Sequence, residues 1–149
     1  MEYPSDAPLD LSDFEPLRED DLAKLEVYCF ANCATTMAYW RKPSPGVRPI
    51  PWIEHLGNEF DLVARLGMLA PYPAERHIQI AGPVFRRPGA WGHLLNEHYL
   101  APIDVHQRHG RKRGGQGGCA PYELLNSGTF PDVAAPRLFG YINGGSPEG

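Results

Sequence analysis

The chain has 149 residues, a formal net charge of −4 and a hydrophobic share of 42%, which suits one folded domain and is too little for two of ordinary size. No apolar run approaches the length of a membrane span and no charged-then-apolar leader opens the sequence, so we expect a cytoplasmic protein with no membrane partner. The cysteines, Cys29, Cys33 and Cys119, do not make a disulfide framework, and we expect Cys29 and Cys33 to be small core residues.

The first segment holds Pro4, Pro8 and Pro16 among acidic side chains, which predicts a flexible acidic lead-in over residues 1–16. After it, apolar residues recur at steps of three and four, a pattern that places them on one face of an α-helix. These residues are Leu22, Leu25, Cys29, Cys33, Met37 and Trp40. Pro43 disfavours the helical conformation in the residue before it, so the first helix is predicted within residues 17–42.

A second stripe with the same spacing follows Pro51 and consists of Ile53, Leu56, Phe60, Val63 and Leu66. It predicts a second helix, with Gly67 either as a left-handed cap or inside a helix that continues to Leu69. Pro73 can open a short third helix that ends near Ile80. The predicted fold class is therefore mainly α, with an antiparallel helical hairpin and a short third helix forming a helical core domain over residues 17–80.

Two helices with one apolar face each bury only one layer of apolar side chains. A stable domain needs more burial than this, so we expect either the C-terminal half or other copies of the chain to pack against the hairpin. Residues 81–149 are rich in glycine and proline, which predicts a loop-rich basic extension of uncertain fold. Within it, residues 93–100 predict a short helix with Leu94, Leu95 and Tyr99 inward. Residues 110–118 contain no apolar side chain and predict a flexible basic linker.

Residues 84–92 interleave two arginines with the aromatic residues Phe85 and Trp91. This composition suits contact with a nucleic-acid backbone together with base stacking. A surface loop whose Trp91 packs into the core is nevertheless the favoured interpretation. The three tryptophans, Trp40, Trp52 and Trp91, are likewise predicted to be core residues rather than a cage for a ligand.

Four histidines, His93, His98, His106 and His109, fall within seventeen positions, and Cys119 could supply a soft fourth ligand to zinc. No HExxH motif, paired CxxC motif or acidic triad accompanies them, so ordinary surface histidines are favoured over a metal site. A His-Asn-His nuclease would need a strand pair around these histidines, and the sequence predicts none. No serine lies in a strand-turn-helix elbow. The residues therefore predict no catalytic group, no metal and no cofactor.

The runs from Asp20 to Ala31 and from Phe60 to Arg76 resemble the small subunits of bacteriophage terminases, in their short single-domain form. The resemblance covers roughly residues 17–80 and lies in an acidic start, a Tyr-Cys-x-Ala-like helix core, and a Leu-Gly-hydrophobic helix end followed by a proline and an arginine. The corresponding positions are Tyr28, Cys29, Ala31, Leu66, Gly67, Met68, Pro71 and Arg76. The residues beyond this match are either a divergent extension or the product of a shifted reading frame.

This resemblance implies a non-catalytic DNA-recognition subunit of a phage genome-packaging terminase, acting in the host cytoplasm. Its implied partners are double-stranded DNA, the terminase large subunit and other copies of the chain. The basic side chains predicted to contact phosphates are Arg76, Arg86, Arg87, Arg108, Arg111, Lys112 and Arg113. Two alternatives stay open: a small helical adaptor or regulatory protein that binds another protein, and a His-ligated metal nuclease.

Overall fold

A computed structural model describes residues 15–34, 36–44, 47–70, 79–103, 122–126, 130 and 132–144. Within these residues the strands are β1 (Glu26–Phe30), β2 (Thr36–Met37), β3 (Trp52–Asn58), β4 (Gln79–Ile80), β5 (Val84–Arg87) and β6 (Glu123–Leu124). The helical elements are α1 (Glu19–Leu22), α2 (Leu62–Leu66), a π-helical turn (Leu95–Leu100) and a 3-10 helix (Arg137–Gly144).

Four of these strands form one mixed sheet in the order β1-β3-β5-β6. Strands β1, β3 and β5 run parallel, whereas β6 is antiparallel to β5. Strands β2 and β4 form a separate parallel pair. Because side chains alternate between the two faces of a sheet, Glu54 and Asn58 of β3 share one face, and His55 lies on the other.

The prediction of a mainly helical fold is wrong, because strand β1 lies in the middle of the first predicted helix and strand β3 occupies the first part of the second. Residues 27–30 are consecutively β-branched, aromatic or small and apolar, which favours a strand. From Ile53 onward β3 is buried at every position, and for a strand covered on both faces the spacing of apolar residues does not distinguish strand from helix. Residues 73–78 of the predicted third helix lie outside the described residues, and its last two positions, Gln79 and Ile80, belong to β4.

The core lies around β3, where Ile53 and Leu56 are almost inaccessible to solvent together with Phe85 of β5. Helix α2 contributes Ala64, which is also fully buried. At 25 cal/mol per Å² of apolar surface, each fully buried large side chain contributes about 1.5–3 kcal/mol. The central strand is therefore the main source of hydrophobic stabilisation among the described elements.

Gly67 allows the end of α2 to lie directly against the segment that leaves β1. A Cβ atom at this position would lie 2.4 Å from the Cα atom of Cys33, and the backbone N–H of Met68 donates to the carbonyl of Asn32 at 3.0 Å. Gly67 has φ −124° and α2 ends at Leu66, so both predicted alternatives, a left-handed cap and a helix that continues to Leu69, are wrong. Close backbone approach, rather than a positive φ, requires glycine here.

The buried His55 side chain connects three segments of the chain. Its Nε2 lies 2.9 Å from the carbonyl of Ala81, and its Nδ1 lies 3.2 Å from the side-chain nitrogen of Asn32. A carbonyl can only accept, so Nε2 carries the proton and Nδ1 accepts from the Asn32 amide. Burial lowers the pKa of His55, and the neutral imidazole satisfies both partners.

The 3-10 helix is attached to the amino end of the sheet by two glutamates, Glu54 and Glu26. The Glu54 carboxylate accepts from the backbone N–H groups of Arg137 at 2.8 Å and Leu138 at 3.3 Å. Glu26 accepts from four side chains, which are those of Tyr28, Arg48, Arg137 and Tyr141. Burial and the charge of Glu26 raise the pKa of Glu54, and the hydrogen bonds from the 3-10 helix and from the Trp52 indole oppose this shift.

Several predicted core residues lie at the surface. Trp40 and Trp91 are 72% and 69% exposed, Cys33 is exposed, and Cys29 is only partly buried, so their assignment to a buried helical stripe or to the core is wrong. The inward position of Tyr99 is confirmed, because its side chain is fully buried, whereas that of Leu94 and Leu95 is wrong, because they are 57% and 48% exposed. Among the described residues, no helix is long and apolar enough to cross a bilayer.

Candidate functional site

Polar residues are buried where β3 ends, at the edge of the sheet where parallel strands present their carboxyl ends. Asn58 closes β3 and is fully buried, and Asp61, three residues later, is 1% exposed. Burying polar groups costs free energy unless they are hydrogen-bonded. In open α/β sheets this edge is also where ligands usually bind. The surroundings of these two side chains therefore define the candidate site.

The two oxygens of Asp61 have different partners. Oδ1 accepts from the backbone N–H groups of Val63 at 2.8 Å and Ala64 at 3.4 Å, so Asp61 is the N-cap of α2. Oδ2 accepts from the Tyr99 hydroxyl at 2.7 Å and lies 3.0 Å from Nδ1 of His93. One carboxylate thus joins the start of α2 to the segment after β5.

Asp61 is ionised at neutral pH despite its burial. Burial acts to raise its pKa, but the hydrogen bonds from Tyr99, His93 and the backbone of Val63 and Ala64 outweigh burial, and the pKa lies below the ordinary value. Each of these donors favours the charged form of the carboxylate. A negative charge is therefore held against the imidazole of His93.

His93 presents its other ring nitrogen to solvent. The side chain is 57% exposed, whereas that of Asp61 is fully covered. Because ionised Asp61 can only accept, Nδ1 of His93 donates the proton, and Nε2 keeps a lone pair. In the part of the chain that the structure describes, Asp61 is the one polar partner recorded for this imidazole.

Tyr99 and Asn58 hold this arrangement in place. The Tyr99 hydroxyl accepts from the backbone N–H of Asn58 at 3.1 Å while donating to Asp61. The side-chain amide of Asn58 donates to the carbonyls of Gly92 at 3.0 Å and His98 at 3.2 Å. Burial raises the pKa of Tyr99, which keeps the hydroxyl protonated and able to donate. The residues on both sides of His93 are thus bound to the end of β3.

Of the predicted DNA contacts, only Arg86 and Arg87 belong to the described residues. The guanidinium of Arg86 pairs with Glu59 and Glu123, so its charge is already balanced by two carboxylates. Arg87 ends β5 beside Asn58 and is partly exposed. The remaining predicted contacts lie outside the described residues and are Arg76, Arg108, Arg111, Lys112 and Arg113.

The histidines considered for a metal site separate into two groups. His93 and His98 are described, and neither belongs to a cluster of three or more His, Cys, Asp or Glu side chains with metal-binding geometry within the described part of the chain. His106, His109 and Cys119 fall outside it. His93 instead forms a pair with Asp61, a partner that is distant in sequence.

On the predicted second helix Asp61 would lie on the flank of the apolar stripe, and nothing in the sequence connects it with His93. The available signal was local: Asp61 precedes a Leu-Val-Ala run, and aspartate before an apolar helical run is a typical N-cap. The contact with His93, 32 positions later, has no local signature. Comparisons of the chain with protein-family models, with curated proteins and with solved structures found no match.

Proposed function

We propose that this chain is a hydrolase in which His93 acts as a general base and water is the nucleophile. Nε2 of His93 accepts a proton as the water oxygen bonds to the carbonyl carbon or phosphorus of an ester. The bond to the leaving oxygen then breaks, and the imidazolium returns the proton to that oxygen. Atoms and protons balance with water as the only co-reactant.

The observation that supports this proposal is the 3.0 Å contact between Nδ1 of an exposed imidazole and a buried carboxylate. Asp61 fixes the tautomer whose lone pair lies on Nε2, and its negative charge stabilises the imidazolium that forms during proton transfer. Asp61 is therefore a positioning residue. Its own orientation is fixed from three sides by α2, Tyr99 and His93.

The test is the release of p-nitrophenolate from p-nitrophenyl acetate and bis(p-nitrophenyl) phosphate by the full chain. General base catalysis contributes about 100-fold to 10,000-fold to a rate, so His93→Gln should lower kcat/KM by at least about 100-fold. His109→Gln is the matched control, because it also removes one imidazole and measures background hydrolysis by a histidine other than His93. A folded His93→Gln variant with wild-type activity would overturn the proposal, as would wild-type protein without activity on either ester.

The DNA-recognition function implied by the terminase resemblance stays a prediction, together with its partners: duplex DNA, a terminase large subunit and other copies of the chain. The resemblance rested on helices over residues 17–80, and that part of the prediction is wrong. A large share of the predicted basic contacts lies outside the described residues. Binding of duplex DNA at increasing salt concentration tests this function independently of hydrolysis.

A further inference from the structure

An exposed pair of aromatic rings lies beside the proposed general base. The indole of Trp91 is 69% exposed, and its centroid lies 5.0 Å from that of the His98 imidazole, with the ring planes tilted by 46°. Trp91 and His98 flank His93 in sequence. A large aromatic side chain left in water at a catalytic site is a candidate contact for a ligand.

The position of the His98 ring is fixed by its neighbours. The backbone N–H of Leu94 donates to its Nδ1 at 3.0 Å. Gly92 has φ +94°, and a Cβ atom at this position would lie 2.4 Å from the ring. Glycine at 92 is thus required both by the left-handed backbone and by the close approach of the imidazole.

Backbone hydrogen bonds hold Trp91 close to Asp61. The carbonyl of Ala90 accepts from the backbone N–H of Phe60 at 2.8 Å, and the N–H of Ala90 donates to the carbonyl of Arg87 at 3.4 Å. The first bond joins the residue before Trp91 to the residue before Asp61. The aromatic pair and the proposed general base are therefore parts of one loop cluster at the end of β3 and β5.

A positive charge lies at the same edge of the sheet. Arg87 pairs with Asn58 in the sheet register, so the two side chains start from the same face of the sheet. The ion pairs and side-chain hydrogen bonds recorded within the described ranges do not involve the Arg87 guanidinium, in contrast with that of Arg86. Guanidinium groups are well suited to binding phosphate oxygens.

Resting on the proposed hydrolase function, we propose that the substrate is a mononucleotide whose base stacks on Trp91 and whose phosphate is bound by Arg87. An exposed indole provides a stacking surface for any nucleobase. The cation supplies the charge complementary to the phosphate. A nucleotide combines a planar aromatic ring with an anion. Among the described residues, this edge of the sheet offers a partner for each group, namely the exposed indole of Trp91 and the guanidinium of Arg87.

The test is isothermal titration calorimetry with adenosine monophosphate, and with adenosine and ribose 5-phosphate as partial ligands. The measurements use the inactive His93→Gln variant in a Trp40→Phe background, so that binding is separated from hydrolysis and a second exposed tryptophan is removed. Because stacking on an aromatic ring typically changes binding several-fold to about 100-fold, Trp91→Leu should weaken binding of the nucleotide by about 10-fold or more. Arg87→Gln should weaken binding of the nucleotide but not that of adenosine.

The outcomes separate this inference from the proposed hydrolase function. Equal nucleotide affinity of the Trp91→Leu variant and its parent, or equal binding of ribose 5-phosphate and the nucleotide, overturns the stacking site even if His93-dependent ester hydrolysis is present. Trp91-dependent nucleotide binding in a chain without His93-dependent hydrolysis supports the stacking site and overturns the hydrolase. The far-ultraviolet circular dichroism spectra of Trp91→Leu and its parent should coincide, which shows that the variant is folded.

Discussion

Replacement of Glu26 by glutamine should make the stability of the chain much less dependent on pH in the acid range. Burial acts to raise the pKa of Glu26, but hydrogen bonds from Tyr141, Tyr28, Arg48 and Arg137 outweigh burial and lower the pKa from 4.5 to about 2. The Glu26 side chain is only 14% exposed, so solvent screens these interactions little. The difference in pKa corresponds to about 3 kcal/mol of folding free energy at neutral pH.

The sign follows from the proton balance of the folded and unfolded chains. Because the folded pKa lies below the unfolded one, the stabilisation is fully present above the unfolded pKa of 4.5 and is lost as pH falls toward about 2. In Glu26→Gln this contribution is absent at every pH. The difference in unfolding free energy between wild type and Glu26→Gln should therefore be about 3 kcal/mol smaller at pH 2 than at pH 7.

The measurement is urea unfolding at about pH 7, 5, 4, 3 and 2, monitored by far-ultraviolet circular dichroism. The matched control is Glu19→Gln, because Glu19 pairs with Arg41 at a side-chain exposure of 49% and should contribute less than about 1 kcal/mol. Glu54 titrates in both chains, and because the charge of Glu26 is one cause of its raised pKa, Glu26→Gln lowers the pKa of Glu54 as well. A difference between wild type and Glu26→Gln that stays constant from pH 7 to pH 2 would refute the reasoning.

Three further predictions concern other parts of the chain. Asp61→Asn replaces one acceptor oxygen by an amide donor and should lower the free energy of unfolding by about 2–3 kcal/mol. His93→Gln, at an exposed position, should lower it by less than about 1 kcal/mol. Urea unfolding compares the two variants, and equal stabilities would contradict the contacts assigned to Asp61. Gly67→Ala, which places a Cβ atom against backbone, should lower stability by about 2–3 kcal/mol. Gly89→Ala, whose Cβ atom would meet open space but whose φ is +68°, should lower it by about 1 kcal/mol, and melting temperatures compare the two. If the terminase-type prediction holds, fluorescence anisotropy with a duplex should show affinity falling with salt at a log-log slope of roughly −0.9 for each phosphate neutralised, and a salt-independent signal would argue against it.

The fold could be predicted only in part from the sequence, because the two central strands carry apolar residues at helical spacing. Strand β3 is the clearest case. Ile53 and Leu56 fit a helical stripe, and on a helix Glu54 and Asn58 would lie on the exposed flank. In the sheet both polar residues are buried, and their hydrogen-bond partners come from segments more than thirty positions away, such as Gly92 and Arg137. Local periodicity contains no information about such partners.

The candidate site shows the same division between local and distant information. The capping role of Asp61 and the inward position of Tyr99 depend on neighbouring residues and could be predicted from sequence signals. The contact of Asp61 with His93 requires the order of strands β3 and β5 in the sheet. The exposure of Trp91 depends on the turn after β5, which keeps the indole at the surface. Sequence reasoning therefore predicted some of the components of the site and not their arrangement.

The attachment of the 3-10 helix to the sheet sets the order in which the chain can complete folding. Arg137 and Tyr141 reach Glu26 across sequence separations of 111 and 115 positions, and closing a loop of that length costs about 4 kcal/mol of chain entropy. The ribosome makes the central strand, with Glu54 in it, long before Arg137 exists. Until the N–H groups of residues 137 and 138 arrive, the Trp52 indole is the one recorded protein donor to that carboxylate among the described residues, and water must supply the others. A nascent chain therefore keeps this end of its sheet open, and the last of the described segments to be synthesised is the one that closes it.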